Sequence, residues 1–501
     1  MRNEAVSRMP RQMPQVEAIN LIPEEMARKY SAIPLEVSDN TLRVAMANPA
    51  DILALEALST QSQMRIEPLA VTAEEIREAI DLHYKSYVEI ERQVSSIYVP
   101  DTSTEKHSRF DDVANTPIAQ TLSLTIDEAV KARASDIHFQ PEEDRLRLRF
   151  RIDGNLHDML YLPLSIATPL ITRIKVLANM NIADHHRPQD GQFSVKAKGR
   201  LLDIRVATIA TVYGEMAALR LLDKSRINLT LSELGFLPES KEKYEKMLKV
   251  PYGMIVVSGP TGAGKTTTLY ASINGLDHTE QNIITIEDPV EYRFKSISQI
   301  QVNPKAGITF AGGLRSILRL DPDVILVGEI RDAETANIAI QSALTGHLVL
   351  SSVHANDSIG VIFRLLDLGI EPFLISSSLV GIVAQRMIRR VCTHCARPTD
   401  ATLIERTAYS SQMGEEPDKF SYGAGCESCS NTGYKGRLGM FEILQLTDDL
   451  RSTLIKRATA YEIREQAIKD GMITLLKDGM IKVKQNLTTP AEVLRNAYAV
   501  E

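Results

Sequence analysis

Apolar positions along this chain change period several times, and each change marks a different kind of element. From Arg145 the segment RLRLRFRIDG alternates strictly. Leu146, Leu148, Phe150 and Ile152 therefore share one face and Arg145, Arg147, Arg149 and Arg151 the other, ahead of a turn at Asp153-Gly154. Upstream, Ile118, Leu122, Ile126 and Ala129 recur at helical spacing and predict an amphipathic helix that opens this domain, which continues in strands and hairpins. From about Leu231 the pattern switches to short continuous apolar runs, MIVVS, NIITI, VILVG and LVLSS, alternating with helical stretches. That alternation predicts a parallel sheet flanked by helices, an α/β core in which ligands sit at the carboxyl ends of the strands.

The two ends of the chain read differently. Pro23 followed by Glu24 and Glu25 starts a helix, TLRVAMA from Thr41 to Ala47 alternates after the Asp39-Asn40 turn, and IEPLAV leads into a capping box of Thr72 and Glu75 for a helix ending near Tyr84. This is a small α/β domain without visible chemistry, read as a partner-binding module. Val94 to Asp112 loses periodicity and gathers Ser, Thr and Asp, as a linker does. From about Leu446 the chain is mostly helical, and Thr488 or Thr489 with Pro490 starts a last helix whose Val493 and Leu494 face a core. The expected divisions are 1–93, a linker 94–112, 113–227, 228–388 for the sheet core, 389–445 for a cysteine-bearing subdomain and 446–501. The arginine face from Arg145 to Arg151 reads either as a solvated edge or as a subunit contact, without a catalytic role.

Composition narrows the function. A chain of 501 residues predicts roughly three or four domains. Its net charge of −7 argues against a general nucleic-acid binder, which needs a basic footprint. No apolar run approaches the ~18 residues of a spanning helix, and the amino terminus has no apolar signal core. The expectation is a cytoplasmic protein that meets a membrane only through partners.

The candidate chemistry follows the apolar runs. After MIVVS, the segment GPTGAGKT from Gly259 to Thr266 matches the phosphate-loop pattern G-x-x-x-x-G-K-[ST]. Gly259, Pro260, Thr261, Gly262, Ala263, Gly264, Lys265, Thr266 and Thr267 form the candidate nucleotide site. Backbone N–H groups of Gly262, Ala263 and Gly264 would turn toward phosphate oxygens, Lys265 toward the β- and γ-phosphates, and the Thr266 hydroxyl toward Mg²⁺. After NIITI come Glu287, Asp288 and Glu291; after VILVG comes Glu329, the candidate general base; after LVLSSV comes His354, either a satisfied strand-end group or a γ-phosphate sensor. Arg315, Arg319 and Arg331 supply either transition-state charge or structural ion pairs. The four cysteines, Cys392, Cys395, Cys426 and Cys429, form two Cys-x-x-Cys pairs, the donor set of a closed structural Zn²⁺ site; His394, inside the first pair, is not expected to be a ligand.

Those residues, in that order, resemble the ATPase family that drives type II secretion and type IV pilus assembly, over nearly the whole chain. The family's Walker A matches Gly259 to Thr266, its aspartate box TIEDPVEY from Thr285, its Walker B DVILVGEIRD from Asp323, and its histidine box is similar to TGHLVLSSVHAND from Thr345. Asp136 to His138, PQDG from Pro188, the cysteine pairs and TGYKGR from Thr432 complete the likeness. The resemblance implies a multidomain P-loop ATPase: a RecA-like parallel-sheet core, a preceding PAS-like α/β domain, a zinc subdomain and a helical carboxyl end. It implies a cytoplasmic homohexamer peripheral to the inner membrane, using ATP and Mg²⁺ and partnered by a platform protein and a cytoplasmic domain of a membrane protein. It implies Glu329 as the catalytic glutamate, His354 as the histidine-box residue, and Arg205 and Arg220 near the phosphates. Three positions depart from the family pattern: Gln192 stands where an arginine is usual, and Val353 and Ala355 replace residues around His354. Pilus extension motors commonly carry a longer amino-terminal region with a motif that binds a cyclic dinucleotide. The shorter start favours the type II branch, and the cysteine segment argues against a retraction motor. A DNA-translocating ring and a non-hydrolysing scaffold are the competing classes.

Overall fold

The computed structural model describes residues 16–73 except 39, residues 76, 77 and 80, and residues 116–223, 230–429 and 432–497. The chain divides into two compact units. One is Met1–Ser225 with the segments Cys392–Ala396 and Gly423–Lys435; the other is Arg226–Val391 with Arg397–Tyr422 and Gly436–Glu501.

In the first unit, α1 (Val16–Leu21), α2 (Glu24–Tyr30), β1 (Ala32–Ser38), β2 (Thr41–Met46), α3 (Ile52–Ser62) and β3 (Arg65–Ala70) build a small α/β layer with strand order β1-β2-β3. Pro23 precedes α2 and β2 follows the alternation read from Thr41. Strand β1 was not legible, because Ala32, Ile33, Pro34 and Leu35 are buried in succession and leave no period of two. The predicted linker from Val94 to Asp112, and most of the helix expected to end near Tyr84, lie outside the described residues.

The same unit then forms α4 (Pro117–Lys131), β4 (Ala134–Pro141), β5 (Arg145–Ile152), β6 (Asn155–Pro163), α5 (Ala167–Leu177), β7 (Gln189–Ala197), β8 (Arg200–Thr211) and β9 (Gly214–Asp223). The six strands make an antiparallel sheet in the order β6-β5-β4-β9-β8-β7. Thr116 caps α4, which packs on β4 and β7 and buries Leu122, Ile126 and Ala129 in the same core as the apolar face of β5. Asp153 and Gly154 both take positive φ, 47° and 96°, as a tight hairpin with a right-handed twist requires. The solvated-edge reading of the arginine face is corrected: β5 lies between β6 and β4, and its arginines are spoken for. Arg145 donates to Glu142 at 2.9 Å, Arg147 to Asp158 at 2.8 Å, Arg149 to Gln140 at 2.5 Å and Arg151 to the Gly154 carbonyl at 2.9 Å.

The second unit begins with α6 (Pro238–Leu248), β10 (Gly253–Ser258), α7 (Lys265–Asn274), β11 (Ile283–Glu287), β12 (Ser298–Gln301), α8 (Phe310–Ile317), β13 (Val324–Val327), α9 (Ala333–Leu344), β14 (Leu348–Val353), α10 (Ser358–Asp367), α11 (Pro372–Ser378) and β15 (Leu379–Val391). It continues with β16 (Ala396–Asp400), α12 (Leu403–Met413), β17 (Lys419–Gly423), β18 (Tyr434–Gln445), α13 (Asp448–Ile455), α14 (Ala460–Lys469), α15 (Leu475–Lys484) and α16 (Pro490–Ala497). Seven strands run in the order β12-β11-β13-β14-β10-β15-β18, and β10 pairs in parallel with both β14 and β15. Met254 and Val256 enter one apolar cluster, Ile255 and Val257 another, so β10 is buried on both faces, as a continuous apolar run demands. The four apolar runs are β10, β11, β13 and β14. Strand β15 escaped notice because Gln385, Arg386, Arg389 and Arg390 interrupt it. Strand β18, within the segment expected to be a cysteine subdomain, belongs to the core sheet.

The last helix starts where expected. The Thr489 hydroxyl accepts from the Glu492 N–H at 3.2 Å, while Thr488 donates to the Arg389 carbonyl at 2.9 Å. Within α15, Asp478 and Lys482 form a fully buried ion pair, and Lys482 also donates to the Gly439 carbonyl at 2.6 Å. Removing one partner strands the other charge, so Asp478→Ala is expected to cost about 3 kcal/mol in urea unfolding. The double change Asp478→Leu with Lys482→Met should recover most of that loss; a double variant as unstable as the single one would contradict this account.

Candidate nucleotide and metal sites

The loop from Gly259 to Gly264 joins β10 to α7. Gly259 takes φ 148°, and a Cβ there would lie 2.4 Å from the Gln385 carbonyl oxygen, so only glycine lets the chain leave the sheet at this point. Gly264 immediately precedes α7, whose first residues Lys265, Thr266 and Thr267 crown its positive dipole end; Thr266 and Thr267 are exposed. The loop also closes on itself. The Ala263 N–H donates to the Pro260 carbonyl at 3.2 Å, and Lys265 Nζ donates to the carbonyls of Gly259 at 2.7 Å and Pro260 at 3.1 Å. The Ala263 amide is therefore engaged within the loop rather than turned outward as expected. Burial holds the Lys265 ammonium below its ordinary pKa, opposed by the negative charge of Glu329.

Glu329 follows β13, the strand next but one to β10, with a side chain only 17% exposed. Arg331 donates to its carboxylate, and His354 Nε2 lies 3.7 Å from it. Arg331 is also 3.9 Å from Asp288, so Asp288, Glu329, Arg331 and His354 gather at the carboxyl ends of neighbouring strands. Glu287 points elsewhere. It is buried, accepts from the Tyr270 hydroxyl, from Thr285 at 2.6 Å and from Gln299 at 3.1 Å, and so binds α7 to β11 and β12. The Glu291 N–H donates to the same tyrosine oxygen at 3.2 Å. Arg315 forms an ion pair with Glu334 at 2.5 Å, whereas Arg319 donates to the Arg315 carbonyl at 3.1 Å, a contact without an acidic partner. Val353 is buried in an apolar cluster with Ala355 packed against it, so both departures around His354 fill core space.

In the first unit, one rung across the sheet aligns Gln192, Arg205, Arg220 and Asp136 on β7, β8, β9 and β4. Arg220 Nε donates to Asp136 at 3.0 Å while most of its side chain stays exposed. Burial lowers the pKa of His138, on the same strand as Asp136; Asp136 opposes the shift and Arg151, Arg149 and Arg220 reinforce it.

The four cysteine sulfurs lie within 4.8 Å of one another. Cys392 and Cys426 are 3.7 Å apart, Cys395 and Cys429 3.8 Å, and Cys426 and Cys429 3.7 Å. A disulfide needs about 2.05 Å. Four thiolates at Zn–S distances near 2.3 Å in a tetrahedron stand about 3.8 Å apart, which is the spacing found. Burial pushes the Cys426 thiol up to about 11 and that of Cys395 higher, with neighbouring sulfurs adding to both. Burial opposes ionisation of Cys392 as well, but hydrogen bonds from the His394 backbone and nearby sulfurs hold it below the usual thiol range. Such a cluster becomes a set of thiolates only with a cation to balance it.

A phosphate loop on a parallel α/β sheet, with a carboxylate two strands away at the same edge, defines a P-loop nucleotide-binding fold. Residues 111–495 match the family described as type II/IV secretion system protein, and residues 10–88 match the MshEN domain. The type IV pilus assembly ATPase PilB of Myxococcus xanthus is 39% identical, over 96% of this chain and 86% of its own. The type II secretion system protein E of Pectobacterium carotovorum is 40% identical, over 96% of this chain and 97% of its own. The pilus retraction motor PilT with bound ADP superposes with a TM-score of 0.51 at 26% identity, over 75% of this chain and 96% of that one. The ATPase DotB of Legionella pneumophila shares the fold, with a TM-score of 0.56 at 19% identity over 78% and 96%. The chain belongs to the type II/IV secretion system protein family and is an ATPase of that family. Relatives named for either system align along nearly all of it, so its amino-terminal length does not separate the two. Among the described residues no helix is long and apolar enough to cross a membrane.

Sequence reasoning missed Tyr270, Gln385 and Arg386. The signal for the last two was a polar pair interrupting the apolar run GIVAQRMI. Tyr270→Phe leaves the buried Glu287 carboxylate short of a donor and is expected to cost about 1–3 kcal/mol in chemical unfolding; an unchanged midpoint would show the contact to be idle.

Proposed function

We propose that this chain is the hydrolytic motor of a filament-assembling secretion apparatus, a cytoplasmic homohexamer peripheral to the inner membrane that adds pilin-like subunits through a platform protein. The observation that carries this reading is the Glu329 carboxylate, held between Arg331 and His354 at the carboxyl edge of the sheet that carries the phosphate loop. In this reading Gly259 to Thr267 hold the phosphates, Lys265 exchanges the loop carbonyls for β- and γ-phosphate oxygens, and Thr266 holds Mg²⁺, which neutralises charge on the transferred group. Glu329 orients and deprotonates the attacking water, His354 reads the γ-phosphate, Asp288 and Glu291 complete the acidic edge, and Arg205 and Arg220 add positive charge from the preceding domain. ATP favours a closed arrangement and hydrolysis releases it, so work comes from the difference in nucleotide affinity between two conformations.

Of the two systems we favour type II secretion, supported by the 40% identity to the type II secretion system protein E of Pectobacterium carotovorum over 96% of this chain. Pilus extension is the second reading, supported by the 39% identity to PilB. The net charge of −7 speaks against a DNA translocase. The cysteine cluster is proposed to hold structural Zn²⁺, with all four positions filled by protein.

Phosphate release by the purified chain, with and without the cytoplasmic domain of its membrane partner and with and without DNA, tests the motor reading. Partner-stimulated release should fall about 100- to 10,000-fold in Glu329→Gln while ATP binding persists, and Lys265→Ala should lose binding. Stimulation by DNA alone would replace the motor with a translocase; tight ATP retention without release would make the chain a scaffold. Elemental analysis should find one zinc per chain, lost in Cys426→Ser together with a lower melting temperature, and a metal-free wild type of equal stability would refute the zinc assignment.

A further inference from the structure

Strand β15 runs beside β10 with Val257 opposite Val383 and Ser258 opposite Ala384, so the next residue, Gln385, comes level with the first turn of the phosphate loop. It is buried, and its amide is used at both ends: Nε2 donates to the Ala263 carbonyl at 2.6 Å, and Oε1 accepts from the Thr268 hydroxyl at 2.7 Å. A trans peptide sets the C=O of one residue opposite the N–H of the next. With the Ala263 carbonyl drawn to Gln385, the Gly264 N–H is turned away from β15 at the point where α7 begins. Thr268, one turn into α7, ties the helix start to the same side chain. Arg386 follows on the other face of the strand, as alternation requires. Its Nη2 donates to the Asn356 carbonyl at 3.2 Å and to the Asn356 side-chain oxygen at 3.1 Å, two residues beyond His354.

We infer that Gln385 and Arg386 are the positioning pair of the nucleotide site: Gln385 fixes the phosphate loop, and Arg386 fixes the turn that carries His354. Neither reaches the reacting atoms; each acts through the segment it holds. One strand thereby sets the relative placement of the group that binds phosphate and the group that reads it. This inference rests on the reading of Gly259 to Thr267 as the ATP site.

The two roles predict different kinetics. Gln385→Leu keeps the volume and removes both hydrogen bonds, so the dissociation constant for a fluorescent ATP analogue and the KM for ATP should rise about tenfold, with kcat nearly unchanged. Thr268→Val, which breaks one of the two bonds from the opposite side, should shift both in the same direction by less and serves if Gln385→Leu does not fold. Arg386→Met keeps most of the stem and removes both donations from Nη2 to Asn356, so kcat should fall about tenfold while analogue binding stays at the wild-type value. Wild-type affinity in both Gln385→Leu and Thr268→Val would overturn the inference. So would a joint loss of kcat and affinity in all three variants that tracks their melting temperatures. If the wild type itself binds no analogue, it is the ATP reading that fails.

Discussion

The nucleotide-binding unit depends on one constraint: its central strands are buried on both faces. Helices cover the residues of β10, β13 and β14 from either side, and an unpartnered polar group inside that sandwich would cost several kcal/mol. Polar chemistry is therefore displaced to the ends of the strands, where the chain turns out of the sheet. Glu329, His354 and the phosphate loop share that edge for this reason. The strand ends are the nearest points at which a charged group can remain partly hydrated while the sheet fixes its position.

The polar groups that do enter the interior show what the constraint exacts. Glu287 accepts three hydrogen bonds, Gln385 uses both ends of its amide, and Glu442 on β18 accepts from the Ser358 hydroxyl, from the Ser358 N–H at 3.0 Å and from the Leu475 N–H at 3.3 Å. Burial pushes the Glu442 carboxyl up, and the donors from Ser358 partly offset that. The turn after His354 is consequently fastened by three elements: Arg386 on β15 holds Asn356, Arg464 on α14 holds Asp357 at 2.5 Å, and Glu442 holds Ser358. Arg464 on α14 and the Leu475 N–H at the start of α15 are thereby tied, through Asp357 and Glu442, to the turn that follows His354.

Elsewhere charge is managed by pairing. The rung from Gln192 to Asp136 sets two arginines in register, with one carboxylate on Arg220, and the arginines of β5 are matched to acceptors on the adjoining strands and turns. Where Gln192 stands, the rung carries one fewer positive charge than an arginine would give it. The cysteine cluster poses the reverse problem: four crowded sulfurs, three of them on buried residues and one on the half-buried Cys426, cannot all ionise without a cation, and their spacing suits one.

Much of this was fixed locally. The alternation at Arg145, the apolar runs ending at Ser258, Ile286, Gly328 and Val353, the phosphate-loop spacing and the paired cysteines are short-range patterns with a direct physical meaning, and they sufficed for the fold class, the family and the candidate residues. Tertiary structure decided the rest, because burial and partnership are properties of space. It turned the presumed edge at β5 into an interior strand, took Glu287 inside to Tyr270, placed β15 and β18 in the core sheet, and gave Gln385 and Arg386 their partners. Ala263 lies 122 positions from Gln385 along the chain, and no local pattern carries a hydrogen bond across that distance.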